Sequence, residues 1–471
     1  MTRAGAALWA TMTDVRFTVV QIIIVVAAGL IGTLLRQIPA SAFQDPTQYA
    51  SELADLHTRY DPLTILGVHV GPTLTDVFLA LGFFNVFSAV WFTSVLSLLA
   101  VSIVVCTLDR TPRLWRGVHD VRPTQPAPFF DLHLNERAAF VAPDLAPAEA
   151  VSYLRRHRFK VRETVDADGV RHVYGDRNQY FKLATLLTHL GLILFLAGGA
   201  ITGAFGFETV LFVGQGQTAP IQPVGTPDNL LIKNLGFQAP QRPDGTYEDY
   251  RTNLAVYQDG KQVTQATIRV NEPLTFDGFV FHQNTFGPAE DLQIRDTSGT
   301  LVWSGPMILD GSIGGQPQGF MTIPGAPIGL LGLLGTDAKG APSLTILGVA
   351  AGSGQDQLQP VFAAALGIGS TSDPAVTGGY QVRWVDASQF SGMVIKKDPG
   401  QDLIWVAFLC LISGLILTFY FPRRRVWARF DEGQVRVAML ADRYVPAERE
   451  FGQLLDGLAT RWAVTPERAR T

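Results

Sequence analysis

Charged residues and cysteines are both scarce in this sequence. Asp, Glu, Lys and Arg make up 17% of the 471 residues, and the formal net charge is −4, whereas soluble domains carry about a quarter charged residues. This balance provides no basic surface for nucleic acid. The two cysteines, Cys106 and Cys410, form no Cys-x-x-Cys pair, which excludes a thiol oxidoreductase of the usual kind. Walker, Gly-x-Ser-x-Gly and His-Glu-x-x-His motifs are absent as well.

Apolar residues, in contrast, are abundant and concentrated. They make up 47% of the chain, and four uninterrupted runs cover residues 17–35, 83–108, 183–203 and 403–421. Each run has the length of about 20 residues that a spanning helix needs. The first run is too long for a signal peptide, and no Ala-x-Ala-like cleavage site follows it. The sequence therefore predicts a multi-pass membrane protein with four spans.

Lys and Arg residues predict the orientation of these spans. They crowd residues 109–182 and the Arg-Arg-Arg run that follows the fourth span, whereas residues 205–401 contain only ten. Basic residues accumulate on the cytoplasmic side of a membrane. We therefore expect residues 1–16, 109–182 and 422–471 to be cytoplasmic, and residues 36–82 and 204–402 to lie outside.

The segments between the spans predict two kinds of soluble structure. Residues 204–402 alternate in polarity and are punctuated by Asp-Gly, which is typical of β-sheet, while the short run "PIGLLGLLG" indicates a buried or interfacial segment. The cytoplasmic loop reads as a helix, "PAEAVSYLRRHRF", followed by a hairpin, "KVRETVDADGVRHVYGD". Phe451, Leu454, Leu455 and Leu458 predict an amphipathic helix in the tail. The fold class is an α-helical integral membrane protein with four transmembrane helices, a large β-rich extracytoplasmic domain and a small α+β cytoplasmic loop domain.

A histidine inside the third span is the main candidate for a functional residue. Ionisable side chains are costly in a membrane, so His189 is expected to face protein or a cavity. It shares a helical face with Thr185, Leu192, Leu196, Gly199 and Gly203, and the Gly199/Gly203 pair permits close helix approach. Two interpretations stay open: an interhelical hydrogen bond, and an axial ligand to a metal or haem iron.

The other histidines carry weaker signals. His282, in "FVFHQNTFG", lies between aromatic residues and is either an ordinary sheet histidine or an exterior haem or metal contact. The remaining six are expected to be solvated loop residues: His57, His69, His119, His133, His157 and His172. Both cysteines lie inside predicted spans at different depths, which argues against a disulfide between them and favours packing roles.

Several motifs resemble those of one known family. The entry to the last span is Asp398-Pro399-Gly400, and its exit is "FPRRRVW", beginning at Phe421. The second span is similar in "SAVWFTSVLSLLAVSIVVCTLDR". With the order of three spans, a large outer domain and a last span, this resembles the ResB/Ccs1 family of cytochrome c biogenesis proteins (System II). The sequence departs from the family in "HQNTFG", where a Tyr-Gln pair is more usual than His282-Gln283, and in Arg36-Gln37, where the family often has Pro-Gln.

The resemblance implies a function, partners and a location, the plasma (inner) membrane of a prokaryote. Such proteins act with a CcsA/ResC-like membrane protein to move haem across the lipid bilayer and support its attachment to apocytochrome c. It implies haem b as a transient cofactor shared with the partner, with His189 in the position of a family histidine thought to contribute to a membrane haem site. His282 is the weaker haem candidate, because of its departure from the motif. The chain would be a non-catalytic or co-catalytic subunit of a holocytochrome c synthase complex, with no catalytic residue or metal site assigned and no nucleic-acid partner.

Other functional classes are compatible with parts of the sequence. A membrane-anchored scaffold, or an extracytoplasmic binding or receptor protein with no haem role of its own, remains the alternative. A sensor would need a larger cytoplasmic output domain, and a secondary transporter acting alone would show inverted repeats and more spans. The spectrum of the purified protein, with and without its partner, separates the haem hypothesis from the scaffold.

Overall fold

The computed structural model describes residues 3–39, 42–43, 46–65, 67–141, 147–222, 226, 229–350, 360–431 and 433–468. Two compact units divide the chain. The first, here called the helical unit, combines Met1–Ala200 with Gly400–Thr471. The second, the β unit, is Ile201–Pro399.

The helices follow in this order: α1 (Arg3–Thr13), α2 (Val15–Leu34), α3 (Pro46–Tyr60), α4 (Gly71–Ala80), α5 (Val90–His119), α6 (Pro147–Arg156), α7 (Ala184–Phe205), α8 (Gln401–Tyr420) and α9 (Ala447–Trp462). Short 3₁₀ helices cover Val86–Ser88, Ala127–Phe130 and Gln179–Leu183.

Strands before α7 are β1 (Thr64–Ile65), β2 (Val68–His69), β3 (Arg137–Val141), β4 (Lys160–Val165) and β5 (Arg171–Arg177). Strands of the β unit are β6 (Phe207–Gly214), β7 (Thr218–Pro220), β8 (Leu231–Gln238), β9 (Arg251–Gln258), β10 (Lys261–Arg269), β11 (Leu274–Phe276), β12 (Phe279–Arg295), β13 (Leu301–Ile308), β14 (Gly311–Ile313), β15 (Gln316–Thr322), β16 (Ile328–Thr336), β17 (Pro342–Ala350), β18 (Pro360–Leu366) and β19 (Gln381–Lys397). Strands after α8 are β20 (Arg424–Asp431), β21 (Gln434–Ala441) and β22 (Glu467–Arg468).

Four helices in the described part of the chain are long and apolar enough to cross a membrane, as the sequence predicts. They are α2, α5, α7 with its preceding 3₁₀ turn, and α8. Large apolar side chains on their surfaces are exposed, for example Val26, Val101 and Leu409. Such a continuous apolar surface is rare on a soluble protein and suits contact with lipid. The chain is therefore a membrane protein.

The second span differs from its predicted bounds. Residues 83–89 form a turn and a 3₁₀ helix, and α5 begins only at Val90 and continues to His119. Phe84 is apolar for another reason: it is 1% exposed and packs with Ile38 and Leu56 in the core of the 36–82 segment. Hydropathy alone does not distinguish a residue that faces lipid from one that faces a small protein core, so the predicted start was early.

Polar contacts that the sequence analysis did not predict stabilise the turn after α2. The Gln37 side chain accepts a hydrogen bond from the backbone N–H of Val86 (3.0 Å) and donates one to the carbonyl of Phe83 (3.0 Å). Arg36 forms ion pairs with Glu52 and Asp55 of α3. These contacts connect the end of the first span to the turn that starts the second.

Two distant segments of the helical unit build one sheet. Its strand order is β22-β3-β21-β20-β5-β4, so strands before α7 pair directly with strands after α8 at three places: β22 with β3, β3 with β21, and β20 with β5. Helices α6 and α9 cover it, and Phe451, Leu454, Leu455 and Leu458 are all buried in its core, as predicted. The predicted hairpin is β4–β5 and the predicted helix is α6. The sequence predicted a small α+β domain within residues 109–182; in the structure β20, β21, β22 and α9 of the tail join the same sheet and core, here called the split sheet.

The β unit is as rich in strands as the alternating pattern predicts. Its sheets are ordered β10-β9-β8-β7, β11-β12-β19-β6 with β13 also paired to β12, and β14-β15-β16-β17-β18. The two longest strands, β12 and β19, run antiparallel along almost their full lengths. Two apolar cores include residues of both strands. One core also contains residues of β8 and β9, and the other contains residues of β16 and β17. The "PIGLLGLLG" run is mostly strand β16, partly buried in the second core.

Candidate functional site

His189 lies in α7 and contacts a neighbouring span. Its Nδ1 is 3.0 Å from the hydroxyl oxygen of Thr107 in α5. The side chain is partly buried, so it faces protein on at least one side, as the cost of an ionisable group in a membrane requires. The sequence analysis missed Thr107, because nothing in a span's composition identifies which of its hydroxyls meets a histidine.

The Thr107 hydroxyl determines which nitrogen of His189 is available. A hydroxyl has one proton to donate, and that of Thr107 goes to the carbonyl of Ile103, 2.7 Å away. With its proton donated to Ile103, the hydroxyl accepts from the ring, and this arrangement favours the tautomer with the histidine proton on Nδ1. Nε2 then keeps its lone pair, and no residue that the structure describes forms a hydrogen bond with it. A neutral imidazole held in this way is the form that ligates a metal.

The close helix contacts of α7 are not on the predicted glycine face. A Cβ at Gly199 or Gly203 would meet no atom within 4 Å, so the predicted packing of this pair is wrong within the described chain. Gly191 and Gly198 make the close contacts instead. A Cβ at Gly191 would lie 2.8 Å from Cγ of Leu411 and 2.9 Å from the carbonyl of Ala407, both in α8. Helix α7 thus packs on α8 with one face and reaches α5 with His189 on another.

The remaining predicted residues are not brought to this site. His282 lies on β12 opposite Val394 of β19, in the β unit, and is partly buried. Cys106 is buried and Cys410 half-buried, and both are free, as expected from their different depths. His172 corrects one prediction: it is 1% exposed on β5, and its Nε2 lies 2.9 Å from Asp166. It is a core residue of the split sheet because β5 is a central strand.

A buried ion pair joins the ends of two spans to the split sheet. Arg423, the first residue of the Arg-Arg-Arg run, donates from Nε to Asp176 of β5 (3.0 Å) and from Nη1 to the carbonyl of Gly117 near the end of α5 (2.7 Å). Tyr174 donates to the same Asp176 at 2.6 Å, and burial, with the Asp176 carboxylate, raises the pKa of this tyrosine. Sequence reasoning counted Arg423 only as a sign of orientation.

The chain matches a family sequence model along most of its length. The sequence model of the ResB-like family matches residues 15–317 and 332–451. This chain belongs to the ResB-like family. The match takes in all four spans, most of the split sheet and most of the β unit, and it confirms the resemblance drawn from the sequence motifs.

Curated relatives of this ResB-like chain are similar over most of their length. It is 26% identical to the cytochrome c biogenesis protein CcsB of Gloeobacter violaceus over 394 residues, covering 81% of this chain and 79% of that protein. It is 22% identical over 496 residues to the cytochrome c biogenesis protein ResB of Bacillus subtilis, covering 92% and 83%. It is 24% identical over 407 residues to the cytochrome c biogenesis protein Ccs1 of Rhodomonas salina, covering 82% and 86%.

Proposed function

We propose that this protein is a subunit of a System II cytochrome c maturation complex, which moves haem across the membrane and supports its covalent attachment to apocytochrome c. Membership of the ResB-like family and relatives described as cytochrome c biogenesis proteins support this function. The observation that carries the residue-level proposal is the free Nε2 of His189 in a span, with its tautomer set by Thr107.

Haem enters this proposal as cargo. Its ring is apolar and suits a path between helices, and an imidazole nitrogen is a common axial ligand for its iron. We assign that nitrogen to His189 Nε2. The role of Thr107 is to hold the ring proton on Nδ1 and to orient the imidazole, as outer-shell partners of ligating histidines do. His282 stays a secondary haem candidate without a contact that supports it.

A partner membrane protein of the CcsA/ResC type completes the proposal. This chain has a candidate membrane ligand, but sequence reasoning finds no thiol chemistry and no haem-attachment motif in it. The partner would share the haem b group and provide the attachment site, while this chain supplies His189. The proposed location is the inner membrane of a prokaryote, with the split sheet in the cytoplasm and the β unit outside, because basic residues crowd the former.

The first prediction concerns His189→Ala. The substitution removes the proposed ligand and one interhelical hydrogen bond, whose loss should cost less than about 2 kcal/mol of stability. The complex purified with its partner should lose haem, and added imidazole should restore it together with holocytochrome output, by filling the vacated position. The measurements are the haem absorption spectrum and covalent haem on a Cys-x-x-Cys-His reporter.

His119→Ala is the matched control, because His119 lies at the end of α5 and stacks on Trp115. This variant should leave the haem content of the complex unchanged. In a separate control, this chain expressed without its partner should yield no covalent haem.

The Thr107 contact itself favours one second candidate function, a scaffold in which His189 only joins α7 to α5. Normal haem and normal output from His189→Ala would select that scaffold function.

A further inference from the structure

A cleft of about 850 Å³ lies within the β unit, between the sheet that contains β12 and β19 and the sheet that contains β16 and β17. Its floor comes from β12 and β19, and its walls include Leu334 of β16 and Pro342 of β17. Tyr247 stands at the rim and is 43% exposed. The volume falls within the range of about 300–1,000 Å³ that is usual for ligand sites. Among the described residues that line it there is no Lys, Arg or His.

A β-bulge shapes the floor of this cleft. Glu290 pairs with Ala387 and Asp291 with Asp386, but Leu292 pairs with Trp384, which leaves Val385 as an extra residue in β19. Without the bulge, Trp384 and Ala387 would point to opposite faces of the sheet, because side chains alternate along a strand. With it, Trp384 comes to the same face as Glu290. Bulges commonly redirect a side chain next to a functional site.

The carboxyl group of Glu290 is a buried acid on the floor of the cleft. Glu290 is 1% exposed, and its Oε2 accepts a hydrogen bond from the indole N–H of Trp384 at 2.8 Å. No described Lys or Arg forms an ion pair with it. Burial raises the pKa of Glu290 to about 7; the Trp384 hydrogen bond opposes this rise, and nearby Asp291 and Asp386 add to it. An unpaired buried carboxylate is costly, so a cation brought to it would be stabilising.

Aromatic rings line another part of the cleft, through Phe286 and Tyr247. Phe286 is contacted edge-on by Tyr247, with ring centroids 4.8 Å apart, and is packed by Tyr250 at 5.0 Å and Phe237 at 5.2 Å. Aromatic faces and carboxylates together select cations and their apolar stems. Within the described lining Glu290 is the single acidic side chain and no basic side chain accompanies it, so an anionic group would meet a carboxyl group with no compensating positive charge.

We propose that this cleft binds a Lys or Arg side chain carried by an extended polypeptide segment. The cation would lie against Glu290, and the neighbouring residues of the segment would pack on the apolar walls. A polypeptide is favoured over a free small cation, since the cleft is several times larger than one side chain and Leu334 and Pro342 provide apolar contact. The inference does not depend on the haem proposal, because every contact it uses lies within the β unit.

The test measures binding of a defined peptide to the full chain in detergent micelles. The probe is a fluorescein-labelled peptide of alternating Lys and Leu, compared with the same peptide in which Gln replaces Lys. At pH 8 the Lys peptide should bind more tightly, and Glu290→Gln should weaken it by about tenfold, as the loss of one charge-assisted contact predicts. The matched control is Glu272→Gln, a well-exposed glutamate outside the cleft, which should change affinity little.

The dependence on pH gives a second readout. Glu290 becomes charged as pH rises through about 7, so the Lys peptide should bind the wild-type chain more tightly at pH 8 than at pH 6. In Glu290→Gln most of this rise should disappear. Ala387→Arg leaves Glu290 intact and places a cation on the exposed part of the floor, so it should also block the peptide. Equal binding of the two peptides, or an unchanged pH profile in Glu290→Gln, would overturn the proposal.

Discussion

At the scale of single residues, the candidate ligand role of His189 depends on its contact with Thr107, which is visible only in the folded chain. Each is an isolated polar residue in an apolar run. Their 3.0 Å contact, together with the bond from Thr107 to Ile103, fixes a proton on one imidazole nitrogen and leaves the other free. The chemistry of the candidate site therefore depends on the hydroxyl as well as on the ring.

A substitution at Thr107 tests this dependence. Thr107→Val keeps the shape of the side chain but removes the acceptor, so the ring loses its fixed orientation and tautomer. We expect haem bound by the complex with the partner to fall by about 10- to 100-fold in affinity, as for other outer-shell partners of ligating histidines. Haem titration followed by absorption spectroscopy measures this.

The control for this prediction is Thr107→Ser, which retains a hydroxyl and should behave like the wild-type chain. A purely structural role would lower thermal stability equally in the presence and absence of haem and leave the spectrum unchanged. If Thr107→Val binds haem with wild-type affinity, the Thr107 hydroxyl does not orient the His189 ring for haem binding.

At the scale of elements, the contact between α7 and α8 rests on glycines that are not in the predicted pair. Three of them allow backbone approach: Gly191 and Gly198 in α7, and Gly414 in α8, whose added Cβ would meet Thr188. Small residues at such positions are the usual means by which membrane helices pack closely. The Gly-x-x-x-Gly pattern at Gly199 and Gly203 is real in the sequence, but in the structure it faces open space.

Substitution by valine should therefore lower thermal stability at Gly191 and not at Gly199. Gly191→Val places new carbon atoms against Leu411 and the carbonyl of Ala407, and overpacking of this kind costs about 1–3 kcal/mol. Gly199→Val, where nothing lies within 4 Å, should be tolerated. The midpoint of thermal unfolding in detergent micelles compares them. A larger loss for Gly199→Val than for Gly191→Val would contradict the described packing.

At the scale of the whole molecule, the split sheet places residues before α7 and residues after α8 in one folded layer. Those two segments must therefore lie on the same side of the membrane, since strands β5 and β20 pair directly. This constraint is independent of the distribution of basic residues and agrees with the orientation that they predict. The buried contact of Arg423 with Asp176 reinforces the same junction.

Cysteine labelling tests the proposed orientation. In a chain whose native cysteines are replaced, Asp168→Cys lies on the exposed turn between β4 and β5, and Lys261→Cys lies at the exposed start of β10. A membrane-impermeant maleimide should label Lys261→Cys in intact spheroplasts, and Asp168→Cys only after lysis. Labelling of both positions from the same side would contradict the four-span arrangement.

Local sequence patterns were enough to predict the four spans, the β-rich character of residues 204–402 and the helix of the tail. Those features depend on local composition and on the period of apolar residues, which any segment carries with it. The sequence also identified His189, because an ionisable residue stands out in an apolar run.

Contacts between distant residues, in contrast, became visible only in the folded chain. The Thr107 partner of His189, the glycines between α7 and α8, the burial of His172 and the joining of two distant segments in the split sheet all depend on contacts between residues far apart in the chain. The cleft around Glu290 has the same origin, because a single extra residue in β19 turns Trp384 toward an acid nearly a hundred positions away. Local periodicity contains no information about such pairings, since they are selected by packing of the whole fold.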